Sequence, residues 1–202
     1  MSRRETELTL STDGPCVVFM TGTHHLGFPR MVKMALDYAQ RHPAVTVVLQ
    51  SGSSSAPEKP FPANLQVIPY LTRQQSEHLQ EQASLLITQG GPSIMMEWVR
   101  SGHHPLVLPR RPELGEHVDE HQVRFAQFAQ RHGLAQVIED LTDIPSPLPA
   151  RAQNSPSAAA LQIDTIGSPI QSAANLQNLV SSLIAAHRGN FEDNKRRIKN
   201  ER

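Results

Sequence analysis

Apolar positions along the chain follow two alternating rhythms. Short runs rich in apolar residues occupy 16–20, 46–50, 66–69, 85–88, 106–108 and 135–138, most of them bounded by glycine, proline or polar clusters. A helix would need roughly 10 residues or more, so these runs predict strands buried on both faces of a parallel sheet. Between most of them, residues 29–41, 73–82, 92–101 and 118–132 place their apolar side chains at helical spacing. Alternation on this scale predicts an α/β chain with a doubly wound parallel sheet. The stretch 51–62, rich in Ser and Pro, reads as a loop between strands, and no internal repeat is visible.

The rhythm stops after about Leu141. A polar extension of residues 1–14 precedes the α/β domain of 15–141, and residues 142–171 read as a flexible linker rich in Pro, Ala, Ser and Gln. Residues 172–202 form the last segment, a C-terminal helix followed by a charged tail. Leu176, Leu179, Val180, Leu183 and Ile184 share one face of that helix and must be buried, either against the sheet or at a partner interface. The basic end, from Lys195 to Arg202, reads as a disordered terminus or as a contact for anionic lipid.

Composition narrows the function classes. A chain of 202 residues with 38% hydrophobic content can build one α/β domain but is short for two full nucleotide-binding domains. A net charge of zero and a pI near 7.2 give no global field for nucleic acid, and 4% aromatics leave few stacking platforms. Cys16 is the single cysteine, so no disulfide can form within the chain, which suits a reducing cytosol. No apolar run approaches the roughly 20 residues that cross a bilayer, and the start is polar rather than secretory. A soluble, cytoplasmic chain is expected.

The candidate chemistry lies between Leu85 and Phe128. After the run ending at Thr88, Gly90 and Gly91 leave the backbone bare, and Pro92 suits the first turn of a helix. Unpaired N–H groups and the positive end of the dipole at such a helix start form a site for a phosphate or diphosphate. Glu97 lies on the next turn, where a carboxylate can accept from vicinal ribose hydroxyls; a solvated helix glutamate is the plainer reading.

A second apolar run ends in Pro109, Arg110, Arg111 and Pro112, two cations beside the expected anion site. Gly115 to Gln122 then reads as the entrance to a helix, and Glu116, Asp119 and Glu120 there are also what any helix start favours through its dipole. His24, His25, His103, His104, His117 and His121 invite a metal reading, but their spacing matches no zinc signature and cysteine ligands are absent. No metal is expected. His117 and His121 would lie one helical turn apart and could face the same ligand.

Three stretches together resemble the C-terminal, donor-binding domain of glycosyltransferase family 28. They are Val17 to His25 with Phe28, Arg30, Met31 and Val32; Thr88 to Glu97; and Arg110 to Gln122, whose Gly-Glu-His-x-Asp-x-His-Gln run is the most specific. The resemblance covers about residues 15–140. Many relatives carry a histidine where this chain has Gln89, a glycine where it has Ser93, and a small or branched residue where it has Met20.

The resemblance implies a Rossmann-like fold forming one half of a GT-B enzyme, in the short form found as one chain of a split, two-subunit inverting transferase. It implies a UDP-sugar as substrate, with no tightly bound cofactor. Glu97 would hold the ribose, while Gln89, the backbone at Gly90, Gly91 and Ser93, and the turn at Thr21, Gly22 and Thr23 would cradle the diphosphate. Arg110 would lie beside them, and Glu116, His117, Asp119 and Gln122 would contact the sugar. His24 is the local candidate for contacting the reacting groups, although a histidine bonded within a turn is the simpler reading. Relatives of this form extend lipid-linked saccharides, in exopolysaccharide synthesis among other processes. By that likeness a membrane-associated, acceptor-binding subunit would be the partner and would bring the chain to the inner face of the membrane.

Two other classes compete. A Rossmann-type dehydrogenase calls for Gly-x-Gly-x-x-Gly after the first strand, and the turn here is Thr-Gly-Thr-His-His. A noncatalytic nucleotide-binding module, or a regulatory subunit of such a complex, would keep the same diphosphate-site residues without turnover.

Overall fold

The computed structural model describes residues 14–146 and Leu148. Strands β1 (Cys16–Met20), β2 (Thr46–Gln50), β3 (Leu65–Ile68), β4 (Leu85–Thr88), β5 (Leu106–Val107) and β6 (Gln136–Val137) form one sheet in the order β3-β2-β1-β4-β5-β6. Every neighbouring pair is parallel. Helix α1 (Pro29–Arg41) joins β1 to β2, α2 (Arg73–Gln82) joins β3 to β4, α3 (Pro92–Arg100) joins β4 to β5, and α4 (His121–Arg131) joins β5 to β6.

The unbroken apolar runs of β1 and β4 are explained by burial on both faces. Along β1, Val17 and Phe19 enter one core with Phe28, Met31, Ala35 and Tyr38, from α1 and the turn before it. Cys16, Val18 and Met20 enter a second core with Leu79 and Trp98, from α2 and α3. Successive side chains of a strand point to opposite faces, so a strand covered on both sides must be apolar throughout.

Helix starts follow local chemistry. Pro29 and Pro92 open α1 and α3, where a missing N–H costs nothing. Thr72 caps α2 in a reciprocal box with Gln75.

The doubly wound parallel sheet expected from the sequence is present. The bounds of β1, β2, β4, α1 and α2 agree, and β3 lies one residue earlier than expected. The larger difference is α4, which starts at His121 rather than 118. Gly115, at φ 69°, ends a 3-10 turn at Pro112–Leu114, and residues 116–120 then form a loop in which Glu116 turns inward to Arg30 and the Arg111 N–H. Asp119 Oδ1 accepts from the N–H of His121, satisfying one of the first free donors of the helix.

The domain also continues past 141. A 3-10 turn at Leu141–Asp143 leads to Ile144, which is buried in the core on the α1 side, and Leu148 packs against the same core. The remainder of the expected linker, and the helix expected at 172–187, lie outside the described residues.

Ile87 is fully buried at the centre of β4, in register with Phe19 on β1 and Leu106 on β5. Ile87→Ala leaves a cavity that both neighbours are too constrained to fill, so a loss of about 2–5 kcal/mol is expected, measured by urea unfolding of the full chain.

Candidate functional site

From β1 the chain moves to β2 on one side, and from β4 to β5 on the other, so the strand order reverses between β1 and β4. In an open α/β sheet this opens a crevice beyond the carboxyl ends of those two strands. The turns that follow β1 and β4 meet there. A Cβ added to Gly22 would come within 3.0 Å of Gln89 Nε2, and one added to Gly91 within 2.2 Å of the same atom. The Gln89 carboxamide is therefore packed between the two glycines, with Oε1 buried and without a hydrogen bond.

Gln50, at the end of β2, fixes the first turn. Its Oε1 accepts from the Gly22 N–H at 3.0 Å, and its Nε2 donates to the carbonyls of Gly22 and Pro69. Thr21 donates through both its N–H and its Oγ1 to the Gln50 carbonyl. Thr21 is wholly buried and the Gly22 N–H is engaged, so these two build the turn, and Thr23 is the member left exposed.

The second turn is also closed from within the protein. Gln122 Oε1 accepts from the N–H of Gly90 at 3.1 Å and from that of Arg110 at 3.4 Å. A Cβ on Gly90 would lie 2.5 Å from the Gln122 carbonyl oxygen. The glycine pair read from sequence as room for an anion is thus required first by packing: Gly90 against the start of α4, and Gly91 against Gln89. The N-terminus of α3 begins at Gly91 with no side-chain cap, and Ser93 is exposed in its first turn.

Glu97 is exposed on α3 and is held from α2. Gln80 Nε2 donates to its Oε1 at 2.5 Å and Ser76 Oγ to the same oxygen at 3.4 Å. The carboxylate can only accept. Among the described residues no hydrogen bond reaches Oε2.

Arg110, expected as a cation beside the anion site, is instead sealed inside the domain. Its Nη1 donates to the carbonyls of Leu26, Gly27 and Glu116, and its Nη2 to that of Thr21, all at 2.8–3.0 Å. The guanidinium lies 4.6 Å from the centre of the Phe28 ring. Burial lowers its pKa and nearby Glu116 opposes that shift. Glu116, expected at the sugar, is buried too: its carboxylate takes a two-pronged bond from Arg30 and accepts the N–H of Arg111. Arg111 turns away to Glu139.

His24 and His117 stack with centroids 4.5 Å apart, joining the loop after β1 to the loop before α4. His25 extends the stack on one side at 4.4 Å, and His121 meets His117 edge-on at 5.3 Å. Asp119 Oδ1 lies 2.5 Å from His121 Nδ1 and 3.3 Å from His117 Nδ1. His117 and His121 do come together, although only His121 is helical. Among the described residues, no three His, Cys, Asp or Glu side chains form a group that could hold a metal ion.

His24 Nδ1 accepts from the N–H of Leu26 at 3.2 Å. In the neutral ring the proton then sits on Nε2, so His24 offers an N–H donor in this arrangement and not the lone pair of a base. Burial is the main cause that lowers its pKa, with His117, His25 and Arg110 adding to the effect and Asp119 opposing it.

The crevice therefore brings Thr23, His24, Gln89, Gly91, Ser93, His117 and Asp119 to one end of the sheet, with Glu97 on the flank facing α2. Sequence reasoning missed Gln50 and Gln80. Each reads as an unremarkable glutamine, and the only signal at Gln50 is a polar side chain closing an otherwise apolar strand.

The glycosyltransferase family 28 C-terminal domain profile matches residues 16–178. Among solved structures, the chain resembles the glycotransferase of kitacinnamycin at 19% identity and a TM-score of 0.51, covering 92% of this chain and 44% of that one. It resembles the glycosyltransferase SnogD from Streptomyces nogalater at 16% identity and 0.52, covering 84% and 44%. The calicheamicin glycosyltransferase CalG4 matches at 16% identity and 0.50, covering 86% and 45%. The chain thus spans less than half the length of these proteins, and likeness at this identity establishes the fold. No curated protein matches the chain in sequence.

His24 and His103 both titrate below the ordinary histidine value of 6.5, chiefly because each is partly or largely buried. Below about pH 6.5 the unfolded chain therefore binds more protons than the folded one, and stability falls as pH drops from there towards the folded values. Melting temperature is expected to fall between about pH 7.5 and pH 5.5. His24→Gln should make that fall smaller, as measured by thermal unfolding across the same range.

Proposed function

The chain belongs to the glycosyltransferase family 28 C-terminal domain family, and on that premise we propose that it is the donor-binding half of an inverting glycosyltransferase that uses a UDP-sugar and works with a second, acceptor-binding chain. The observation that carries this reading is the uncapped start of α3 at the reversal of strand order, with Glu97 on the same helix. A helix start at that position suits a diphosphate, because its unpaired N–H groups and positive dipole face the crevice.

In the proposed reaction the acceptor hydroxyl attacks the anomeric carbon as the glycosidic bond to the nucleoside diphosphate breaks. Negative charge grows on the departing diphosphate. Donors aimed there stabilise the transition state more than the ground state. The backbone at Gly91 and Ser93 and the exposed Thr23 are the groups assigned to it. Glu97 would accept from the ribose hydroxyls, and His117 and Asp119 would meet the sugar. His24, with Nε2–H outward, would serve as a donor to the diphosphate or sugar. The base that takes the acceptor proton would come from the partner chain.

The acceptor we propose is a lipid-linked saccharide in polysaccharide synthesis, with the chain in the cytoplasm at the inner face of the membrane. Among the described residues no helix is long and apolar enough to cross a membrane. Attachment would therefore fall to the partner.

Titration of the full chain with UDP, ADP and NADH, followed by ligand-observed NMR, tests the donor. Binding selective for UDP is expected. Glu97→Ala should weaken it by about tenfold or more while the melting temperature stays unchanged, since hydrogen bonds to a charged group contribute about 1.5–3 kcal/mol each. ADP or NADH bound in place of UDP would overturn the assignment, and unchanged UDP affinity would remove Glu97 from the ribose.

A further inference from the structure

We propose that Gln80 is a positioning residue that makes the site selective for ribonucleotides, by fixing the Glu97 carboxylate so that one oxygen is spent on the protein and the other is left for the ribose diol. This rests on the reading of Glu97 as the ribose acceptor.

Glu97 stands on the exposed side of a helix, where a free side chain of its length would move among several rotamers. It is held instead by a chain of bonds that begins in the protein interior. Trp98, fully buried on α3, packs against His103 with centroids 4.7 Å apart. His103 Nε2 lies 2.8 Å from the backbone carbonyl of Gln80. A carbonyl can only accept, so His103 carries its proton on Nε2.

The Gln80 side chain is oriented as strictly as its backbone. The carboxylate of Glu97 has no proton to give, so the carboxamide must turn its NH2 towards Glu97 and its oxygen the other way. That oxygen accepts from Ser101 Oγ at 2.6 Å. Ser101 is the C-cap of α3, so Gln80 touches α3 on both sides of one turn.

On Glu97 the two protein donors fall on one atom. Gln80 Nε2 and Ser76 Oγ both reach Oε1, and they lie 3.5 Å from each other. With both donors on Oε1 the carboxylate is held from α2 through that oxygen, and among the described residues Oε2 accepts no hydrogen bond. Two adjacent hydroxyls need a carboxylate held in a single orientation, because an acceptor that rotates loses the pairing that distinguishes a diol from its deoxy analogue. Groups that orient an acceptor in this way decide how sharply it discriminates. Arg73, at the start of α2, adds a favourable charge near Glu97 while its own bond goes to Glu77.

The test compares the affinities of the full chain for UDP and for 2′,3′-dideoxy-UDP. The wild-type chain should prefer UDP by at least about tenfold, since a site built to bond hydroxyls rejects a ligand lacking them. Glu97→Ala should abolish the preference. Gln80→Met keeps the length of the side chain but removes its hydrogen bonds to Glu97, Ser76 and Ser101, and it should lose most of the preference while leaving dideoxy-UDP affinity unchanged. A merely structural role for Gln80 would weaken both ligands together.

If Glu97→Ala removes the preference and Gln80→Met retains it, the role of Gln80 is overturned while the ribose reading stands. If the wild-type chain shows no preference, both fail. Should Gln80→Met not fold, Ser76→Ala removes the other donor to Oε1 from a partly exposed helix position. A partial loss of preference there supports the clamp, and an undiminished preference overturns it.

Discussion

A cation enclosed in protein must be matched by acceptors or it will not stay enclosed, and Arg110 is such a cation. Among the described residues no carboxylate forms an ion pair with its guanidinium. Backbone carbonyls of Thr21, Leu26, Gly27 and Glu116 surround it instead. The first three belong to the turn and loop between β1 and α1, and the fourth to the loop before α4. Two segments distant in sequence are thereby tied at the end of the sheet where the strand order reverses. Removing one partner from a buried charge is far more costly than forming the pair is favourable, so these loops are held together by what their separation would expose. Phe28, under the guanidinium, closes the remaining face.

The same economy governs the turns. Two glutamine carboxamides, Gln50 and Gln122, each satisfy backbone groups of a glycine turn and of a neighbouring strand end. A carboxamide suits this task because it donates and accepts at one end and carries no charge to desolvate. The turns are consequently built from the inside. Backbone donors at Gly22 and Gly90 are occupied by the fold, and the face left towards the crevice is narrower than a chain of bare glycines suggests: the start of α3, Thr23, Gln89, and the imidazoles of His24 and His117.

Those imidazoles set the electrostatics of the crevice. Four rings lie in sequence there, and His24 among them is held below the ordinary histidine pKa by burial first and then by His117, His25 and Arg110, with Asp119 opposing. The bond from the Leu26 N–H to His24 Nδ1 leaves that ring, when neutral, as a donor through Nε2.

Much of this was legible in the sequence. Five of the elements begin and end where their apolar spacing and capping residues say they should, because periodicity and local punctuation are properties of neighbouring residues. The parallel sheet followed from short apolar strands alternating with helical spacing, and the loop pair that lines the crevice followed from its glycines and histidines. What the sequence could not decide was which partner each polar group would take. Arg110 read as a cation beside the anion site and Glu116 as a contact to the sugar but both are buried, Gly90 read as space for a ligand but faces the carbonyl of Gln122, and α4 starts three residues later than expected, with Glu116 turned inward ahead of it. Each depends on a contact made across the fold: Arg110 with Thr21, Gly90 with Gln122, Gln80 with Glu97. Hydrophobic rhythm is written locally and so determines the elements, whereas a buried hydrogen bond exists only once the chain has brought its two ends together.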